Sequence, residues 1–387
     1  MAAAYSYDLI VVGAGPAGST AARLAALRGA RVALVDKAVF PRDKLCGGAL
    51  TARALTYLQM VHGPFPAHLG HPCGTLQFCD GRRVLAEEIG PLPLVLTMRR
   101  SLDAHLRQSA LDAGAEDWAG HRIADFDLGL GQIVLTSGDS LRAPTMIGAD
   151  GVHSAVARAL FGQDGGLTSL GLALEAEVDG APGQQMSLDL TAVPFGYGWE
   201  FPKPHGVTYG LGGIEARSDD MKGRFQRWLV ARGVDPASVR IKGHHLPFGK
   251  ARSQIGRGGV VLAGDAAGLV DAVTGEGIAW AIRSGQLAGE AVLDALAQGR
   301  PDRTHAHYTE KMRVVLAEVS RAGRLARLAY HPFWQPKALR AIENSGHLRR
   351  RYLQLLAGEM DHADIGPARM MRLLLRLTLA RGSGGLG

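Results

Sequence analysis

Three cysteines in 387 residues leave no room for a disulfide framework. Their scarcity points to a reducing compartment, the cytoplasm. No run of 18 or more uncharged apolar residues occurs, so no membrane span is expected. The chain opens without a signal-peptide pattern, because Tyr7-Asp8 runs straight into a strand-like segment. Cys73 and Cys79 stand near His71, but a fourth ligand and the tighter spacing of a zinc site are missing, so no metal is expected. Proline is sparse at 18, and aromatic residues make up 6%. Glycine is what the chain has in excess. Its 52 glycines are about twice the roughly 7% of an average protein. With proline low, they mark tight turns and close backbone approaches, not low complexity.

The net charge of +7 is uneven. Residues 301–387 carry 15 Lys+Arg and 7 Asp+Glu, and the rest of the chain is nearly neutral. A basic tail suits an anionic membrane, an acidic partner or nucleic acid. No aromatic interleaving or nucleic-acid module accompanies it, so nucleic acid is not expected.

The first 36 residues read as a βαβ unit. Leu9-Ile10-Val11-Val12 is a buried strand, residues 17–27 a helix, and residues 31–35 a second strand. Between strand and helix lies Gly13-Ala14-Gly15-Pro16-Ala17-Gly18, a G-x-G-x-x-G turn. Asp36 closes the second strand, 18 residues after Gly18, where a ribose carboxylate is wanted. Gly13 permits the tight turn, Gly15 the approach of a pyrophosphate, and Gly18 close helix–strand packing. The helix start offers N–H groups and a positive dipole end to phosphates. Helices are expected over 101–113 and 276–296, strands over 133–136, 145–149 and 259–263, a strand-rich region over 167–248, and helices after Pro301.

Later motifs decide which dinucleotide is bound. Met146-Ile147-Gly148-Ala149-Asp150-Gly151 resembles the Asp-Gly motif of the para-hydroxybenzoate-hydroxylase class of flavoproteins. Gly264-Asp265-Ala266-Ala267-Gly268 resembles that class's second FAD signature, and Thr97-Met98-Arg99-Arg100-Ser101-Leu102-Asp103 its arginine-bearing helix start. Within the class, three segments resemble the geranylgeranyl reductase family: Pro41 to Gly48 (P-x-x-K-x-C-G-G), Tyr197 to Pro202 with Gly210 and Gly212 (Y-x-W-x-F-P and G-x-G), and Thr274 to Ile278 (T-G-E-G-I). The family commonly has a proline before the last of these, where this chain has Asp271-Ala272-Val273. The resemblance covers residues 5–300.

It implies an FAD-dependent reductase of isolated prenyl double bonds, acting by hydride delivery from flavin N5 to an alkene. The substrate would be a prenylated small molecule or lipid. An unactivated alkene offers no carbonyl to polarise, so positioning and exclusion of water carry the reaction. The cofactor-contacting residues implied are Gly13, Ala14, Gly15, Pro16, Ala17, Gly18, Asp36, Lys37, Lys44, Cys46, Gly47, Gly48, Arg99, Ile123, Asp150, Gly264, Asp265, Gly275, Gly277 and Ile278. Cys46, Tyr197 and Trp199 are the catalytic candidates. Cys46 either touches substrate and helps a proton transfer or packs as a small hydrophobe. Tyr197, Trp199 and Phe201 alternate, so they share one strand face: a wall for an apolar chain or a sheet core. Gly275 and Gly277 flank Glu276 at the expected helix start, with Thr274 as its cap. No second G-x-G-x-x-G occurs, so either NADPH docks transiently as reductant or another donor serves.

The fold expected is α/β: a Rossmann-like FAD-binding domain (1–72, 99–166 and 249–300), an inserted antiparallel β-sheet substrate domain (73–98 and 167–248), and a basic helical C-terminal region (301–387). In that tail, Arg369, Arg372 and Arg376 recur at helical spacing over residues 368–380, as in an interfacial helix, and Arg349-Arg350-Arg351 forms a charge cluster. A peripheral membrane contact is one expectation, packing on the core the other. Two other functions share the FAD motifs: an aromatic hydroxylase and a non-catalytic assembly factor. A halogenase is disfavoured, because no W-x-W-x-I-P segment occurs.

Overall fold

The computed structural model describes residues 4–90, 94–162, 170–181, 185–214, 219–248 and 251–365. The expected helix over 368–380 lies outside them. The described helices are α1 (Pro16–Leu27), α2 (Ala52–His62), α3 (Arg99–Asp112), α4 (Ala155–Phe161), α5 (Met221–Val230), α6 (Ile278–Ala297), α7 (Thr304–Ala329), α8 (Gln335–Asn344), α9 (Gly346–Ala357) and α10 (His362–Ile365).

The Leu9–Val12 strand is wholly buried. It lies in parallel between Thr145–Gly148 and Val32–Asp36, with Ile10 opposite both Met146 and Ala33. Val260–Leu262 and Glu116–Ala119 extend the same six-stranded sheet. Strands buried on both faces read as unbroken apolar runs, as Leu9–Val12 and Val260–Leu262 do. Helix α1 packs on α6, where a Cβ at Gly285 would fall 2.1 Å from Ala17 O. Small residues on both helices set that close approach. Tyr308 of α7 reaches this core and donates to Leu262 O at 2.9 Å.

A seven-stranded sheet stands beside it. Its order is Lys242–Leu246, Gly171–Asp179, Gly206–Ile214, Gly196–Lys203, Gln185–Asp189, Thr75–Asp80, Arg83–Ile89. Every neighbouring pair is antiparallel except Gln185–Asp189 with Thr75–Asp80. One face buries Leu174 and Leu211 against Phe225, Trp228 and Leu229 of α5. The other face carries Trp199 and Phe201 and is flanked by Leu356 of α9. Tyr352 of α9 meets Phe78 edge-on, with ring centroids 5.5 Å apart. The fold is the expected mixed α/β one. One segment departs from the expected partition: Leu94–Leu96 pairs with Ala49–Thr51 and His71–Pro72 in a small sheet of its own. The next residue, Thr97, donates its N–H to Gly48 O, which fixes that segment to the cofactor side.

Candidate active site

The G-x-G-x-x-G turn is built as its spacing requires. Gly13 has φ +103°, and a Cβ there would fall 2.3 Å from Ala149 O. A Cβ at Gly18 would fall 1.7 Å from Gly13 O. Both positions exclude any side chain. Helix α1 opens at Pro16 with Gly15 as its cap, no capping side chain and no acid in its first turn. Its end is thus left to an anion. At Gly15 the direction of a missing Cβ meets only the Arg42 guanidinium, 3.5 Å away. Asp36 closes its strand and holds Ala14 N–H and Ala38 N–H on its two oxygens, both at 2.8 Å. Lys37 is exposed beside it. Ile123 is half-buried on the Ile123–Asp127 strand opposite Leu135, just after His121, whose N–H donates to Asp36 O.

Arg42 belongs to a buried charge group. Arg99, on the first turn of α3, grips Asp103 with two 2.8 Å bonds, and Arg42 meets the same carboxylate at 3.1 Å. Burial opposes the Arg99 charge, but Asp103 outweighs it, so the guanidinium stays charged. The second FAD motif lies near. Lys44 meets Asp265 at 3.7 Å and donates to His244 Nε2 at 2.7 Å. Burial, with Lys44 adding to it, pushes His244 down to about 4, so its ring is neutral at pH 7. Asp150 does not face outward: its Oδ2 takes Ala155 N–H at 2.6 Å at the start of α4. Its Oδ1 is buried without a partner. Gly264, with φ +60°, sits against Ala17 and Ala281.

The Cys46-Gly47-Gly48 loop crosses the open face of the large sheet. Cys46 is half-buried against the cluster of Leu50, Leu102 and Ile278, and its sulfur accepts Gly48 N–H at 3.4 Å. A Cβ at Gly47 would fall 2.7 Å from the Phe201 ring and 3.2 Å from Trp199 Nε1. That indole nitrogen is buried without a hydrogen-bond partner. Tyr197, Trp199 and Phe201 do share one face, with centroids 5.9 and 6.3 Å apart in sequence. Gly210 gives the Trp199 ring its place: a Cβ there would fall 2.2 Å from the indole. At the far end of the row, the Tyr197 hydroxyl lies against Gly275 and donates to Thr274 O at 3.4 Å. Burial raises Tyr197 above the ordinary phenol range, so it stays protonated.

The turn at 274–278 corrects one expectation. Helix α6 starts at Ile278, with Gly277 as its cap and no capping side chain. Thr274 Oγ1 instead accepts Glu276 N–H at 3.2 Å, inside the turn. Asp271 Oδ1 gathers Val273 N–H at 2.8 Å and Thr274 N–H at 3.0 Å, and so shapes the loop where the family has a proline. Gly275 N–H is taken by Asp271 O. Glu276 turns inward: Thr51 Oγ1 donates to it, and Arg53 Nε stands 3.9 Å away. Burial pushes its carboxyl up to about 7 against those two partners.

A family model described as FAD dependent oxidoreductase matches residues 8–70. The chain is 34% identical over 316 residues to menaquinone reductase of Mycobacterium tuberculosis strain H37Rv, covering 75% of this chain and 77% of that protein. It is 33% identical to geranylgeranyl diphosphate reductase of Rhodobacter capsulatus, over 76% and 77%. This chain belongs to the geranylgeranyl reductase family of FAD-dependent oxidoreductases. A geranylgeranyl bacteriochlorophyll reductase-like structure from Thermoplasma acidophilum shares its fold, with a TM-score of 0.67 and 21% identity over 91% of this chain and 100% of that one.

The enzyme of this family is an FAD-dependent oxidoreductase, and the residues present fit FAD. The cradle rejects any Cβ, its helix end is uncapped, and Arg42 stands over it. Gly13 through Gly18, Asp36, Arg42 and the Gly264–Asp265 turn would hold the dinucleotide, and the loops at 46–48 and 275–277 would flank the flavin ring. Four side chains at the site carry no expectation from sequence: Arg42, Glu175, Lys203 and His244. Lys203 alone had a local signal, because it continues the odd-numbered face of Tyr197, Trp199 and Phe201.

Proposed function

We propose that this oxidoreductase reduces isolated carbon–carbon double bonds of a prenyl chain. The observation that carries the reading is the aromatic row. Tyr197, Trp199 and Phe201 run as one apolar wall from the Gly275 turn to the Cys46-Gly47-Gly48 loop. Both ends of that wall are loops that would flank the flavin. A flat apolar chain laid on this wall excludes water and holds an alkene without needing a polar handle.

When bound and reduced, FAD supplies a hydride to one alkene carbon. Cys46, at the edge of the wall, is the proton source for the other. The chain's own residues do the positioning. Gly47 lets the Phe201 and Trp199 rings approach its backbone, and Tyr197 sets the distance between wall and turn. The carbon skeleton of the prenyl group is otherwise left alone, because the wall presents no base to it.

For a lipid-borne substrate, we place the membrane contact on the C-terminal helices. Phe333 is 61% exposed, Lys337 caps its ring at 3.6 Å, and Arg340 and Arg350 are exposed nearby in sequence. Arg349 is engaged elsewhere, paired to Glu88 at 2.5 Å. Among the described residues no helix is long and apolar enough to cross a membrane.

The test is anaerobic. The holoenzyme is reduced with dithionite, then mixed with geranylgeranyl diphosphate or a menaquinone while flavin absorbance and product mass are followed. Reoxidation with a gain of two hydrogens per turnover is expected. Flavin that stays reduced with every prenyl compound, yet on admission of air consumes oxygen to hydroxylate an aromatic, overturns the reading in favour of a hydroxylase.

A further inference from the structure

The turn at 271–276 is braced by the C-terminal end of the described residues, through two buried charge contacts. The first runs through His362, which opens α10 and is 2% exposed. Its Nε2 stands 3.3 Å from Asp271 Oδ2, while Asp271 Oδ1 holds the N–H groups of Val273 and Thr274. Its Nδ1 stands 3.5 Å from Glu318 Oε2 of α7, and the same oxygen accepts the His362 backbone N–H at 2.8 Å. The ring is thus set between two carboxylates, one of which shapes the turn. The second contact runs through Arg53, buried at the start of α2. One side of its guanidinium faces Glu276 of the turn. The other holds the carbonyls of Leu355 and Met360, with Asp361 Oδ1 at 3.3 Å. Gly358, with φ +73°, lets the chain bend closely over this arginine: a Cβ there would fall 3.1 Å from Arg53 Cβ. Between the two contacts, Leu356 packs in the cluster of Trp199 and Phe201. Residues 355–362 therefore meet both the flavin turn and the aromatic wall.

Apolar packing alone would hold a terminal helix, and a buried ion pair adds little net stability over well-packed apolar side chains. What it can add is a single arrangement, because a carboxylate buried without its cation is heavily penalised. Asp271 is 2% exposed, so the turn it shapes is tied to the presence of His362. We propose that residues 355–362 are a latch on the flavin turn, with His362 and Arg53 as positioning residues: the turn keeps its FAD-binding shape while the latch is seated, and bound FAD in turn holds the latch. The coupling is reciprocal, so the factor by which a seated latch tightens FAD binding is the factor by which FAD favours seating. It depends on FAD binding and not on which substrate is reduced.

The experiment uses the full chain, FAD-loaded and stripped of FAD, without substrate. Hydrogen exchange of peptides covering residues 355–365 is followed by mass spectrometry. FAD should slow their exchange about fivefold or more, while peptides of α5, on the far face of the large sheet, should change less than about twofold. Titration of the stripped chain with FAD should show binding weakened about fivefold or more in His362→Gln, with a shifted visible flavin band. Trp228→Phe, which loses the indole bond to Asp189 beside α5, controls for a general loss of stability. It should bind FAD within about twofold of wild type. Equal exchange of 355–365 with and without FAD overturns the proposal, and so does unchanged FAD affinity in a folded His362→Gln. An equal loss of affinity in Trp228→Phe and His362→Gln overturns it too. Should His362→Gln fail to fold, exchange in the wild-type chain still decides.

Discussion

Replacing Gly275 by alanine tests how the sheet is seated against the cofactor turn. Gly275 has φ +73°, and its ideal Cβ would fall 1.9 Å from the Tyr197 hydroxyl but 3.2 Å from the ring carbon bearing it. Two costs separate cleanly. The left-handed backbone conformation costs any L-residue about 1–2 kcal/mol. Moving the hydroxyl out of the way forces Tyr197 off its rotamer, about 1 kcal/mol more, and breaks its bond to Thr274 O. The single variant should therefore lose about 2–3 kcal/mol. Tyr197→Phe removes the clashing atom and leaves a ring carbon at 3.2 Å, a tight contact that a ring shift of a few tenths of an ångström relieves. On that background the alanine should cost only the backbone term, about 1–2 kcal/mol. Urea unfolding of the wild type, both singles and the double, followed by circular dichroism, gives the coupling as a double-mutant cycle. A favourable coupling of about 1 kcal/mol is expected. Losses that simply add would refute the argument that Tyr197 and Gly275 touch.

Gly18→Ala puts a methyl group 1.7 Å from Gly13 O, so the purified protein should retain at least about tenfold less flavin per chain, read from absorbance. His362 is held between Asp271 at 3.3 Å and Glu318 at 3.5 Å, with Arg53 also facing it. Burial lowers its affinity for a proton, but the two carboxylates outweigh burial and raise it above 6.5. Its contribution to stability is therefore complete below pH 6.5 and is lost as pH rises through the raised value. Urea unfolding from about pH 6 to 9 should show that decline, and His362→Gln should flatten it; an equal slope in both would refute it. The full chain should sediment with vesicles containing phosphatidylglycerol and not with phosphatidylcholine alone, and Phe333→Ser with Lys337→Gln should weaken that binding; equal sedimentation with both lipids would refute the membrane contact.

What was legible from sequence was local. The cradle could be read because Gly13, Gly15, Gly18 and Asp36 lie within one βαβ unit, where spacing alone fixes geometry. The aromatic wall could be read because a strand alternates its side chains. The start of α6 at Ile278 lies two residues beyond the expected Glu276, because Asp271, seven residues earlier, captures the turn's N–H groups. Lys203 and Glu175 escaped notice for a different reason. Lys203 meets Gly47 and Thr97 across 156 and 106 residues, and only the closed fold brings those carbonyls to it. Burial, which raises Glu175 and lowers Lys203, is likewise a property of the assembled sheet. His244 belongs with these, since Lys44 lies 200 residues away.

Arg53 reaches further still. From the start of α2 it donates to Leu355 O at 3.3 Å and Met360 O at 2.9 Å, 302 and 307 residues later, while its other edge faces Glu276 in the flavin turn. On the ribosome this arginine emerges early and waits. At about 5–20 residues per second, its carbonyl partners follow roughly 15–60 s afterwards. The central sheet waits almost as long, since Leu9–Val12 needs Thr145–Gly148, which in turn needs Val260–Leu262. The nucleotide cradle is thus encoded well before the partners that brace it emerge. A nascent chain cut at residue 300 should carry the whole G-x-G-x-x-G turn and still hold flavin poorly. Cofactor loading in this protein is then an event that reports the arrival of residues 355–360.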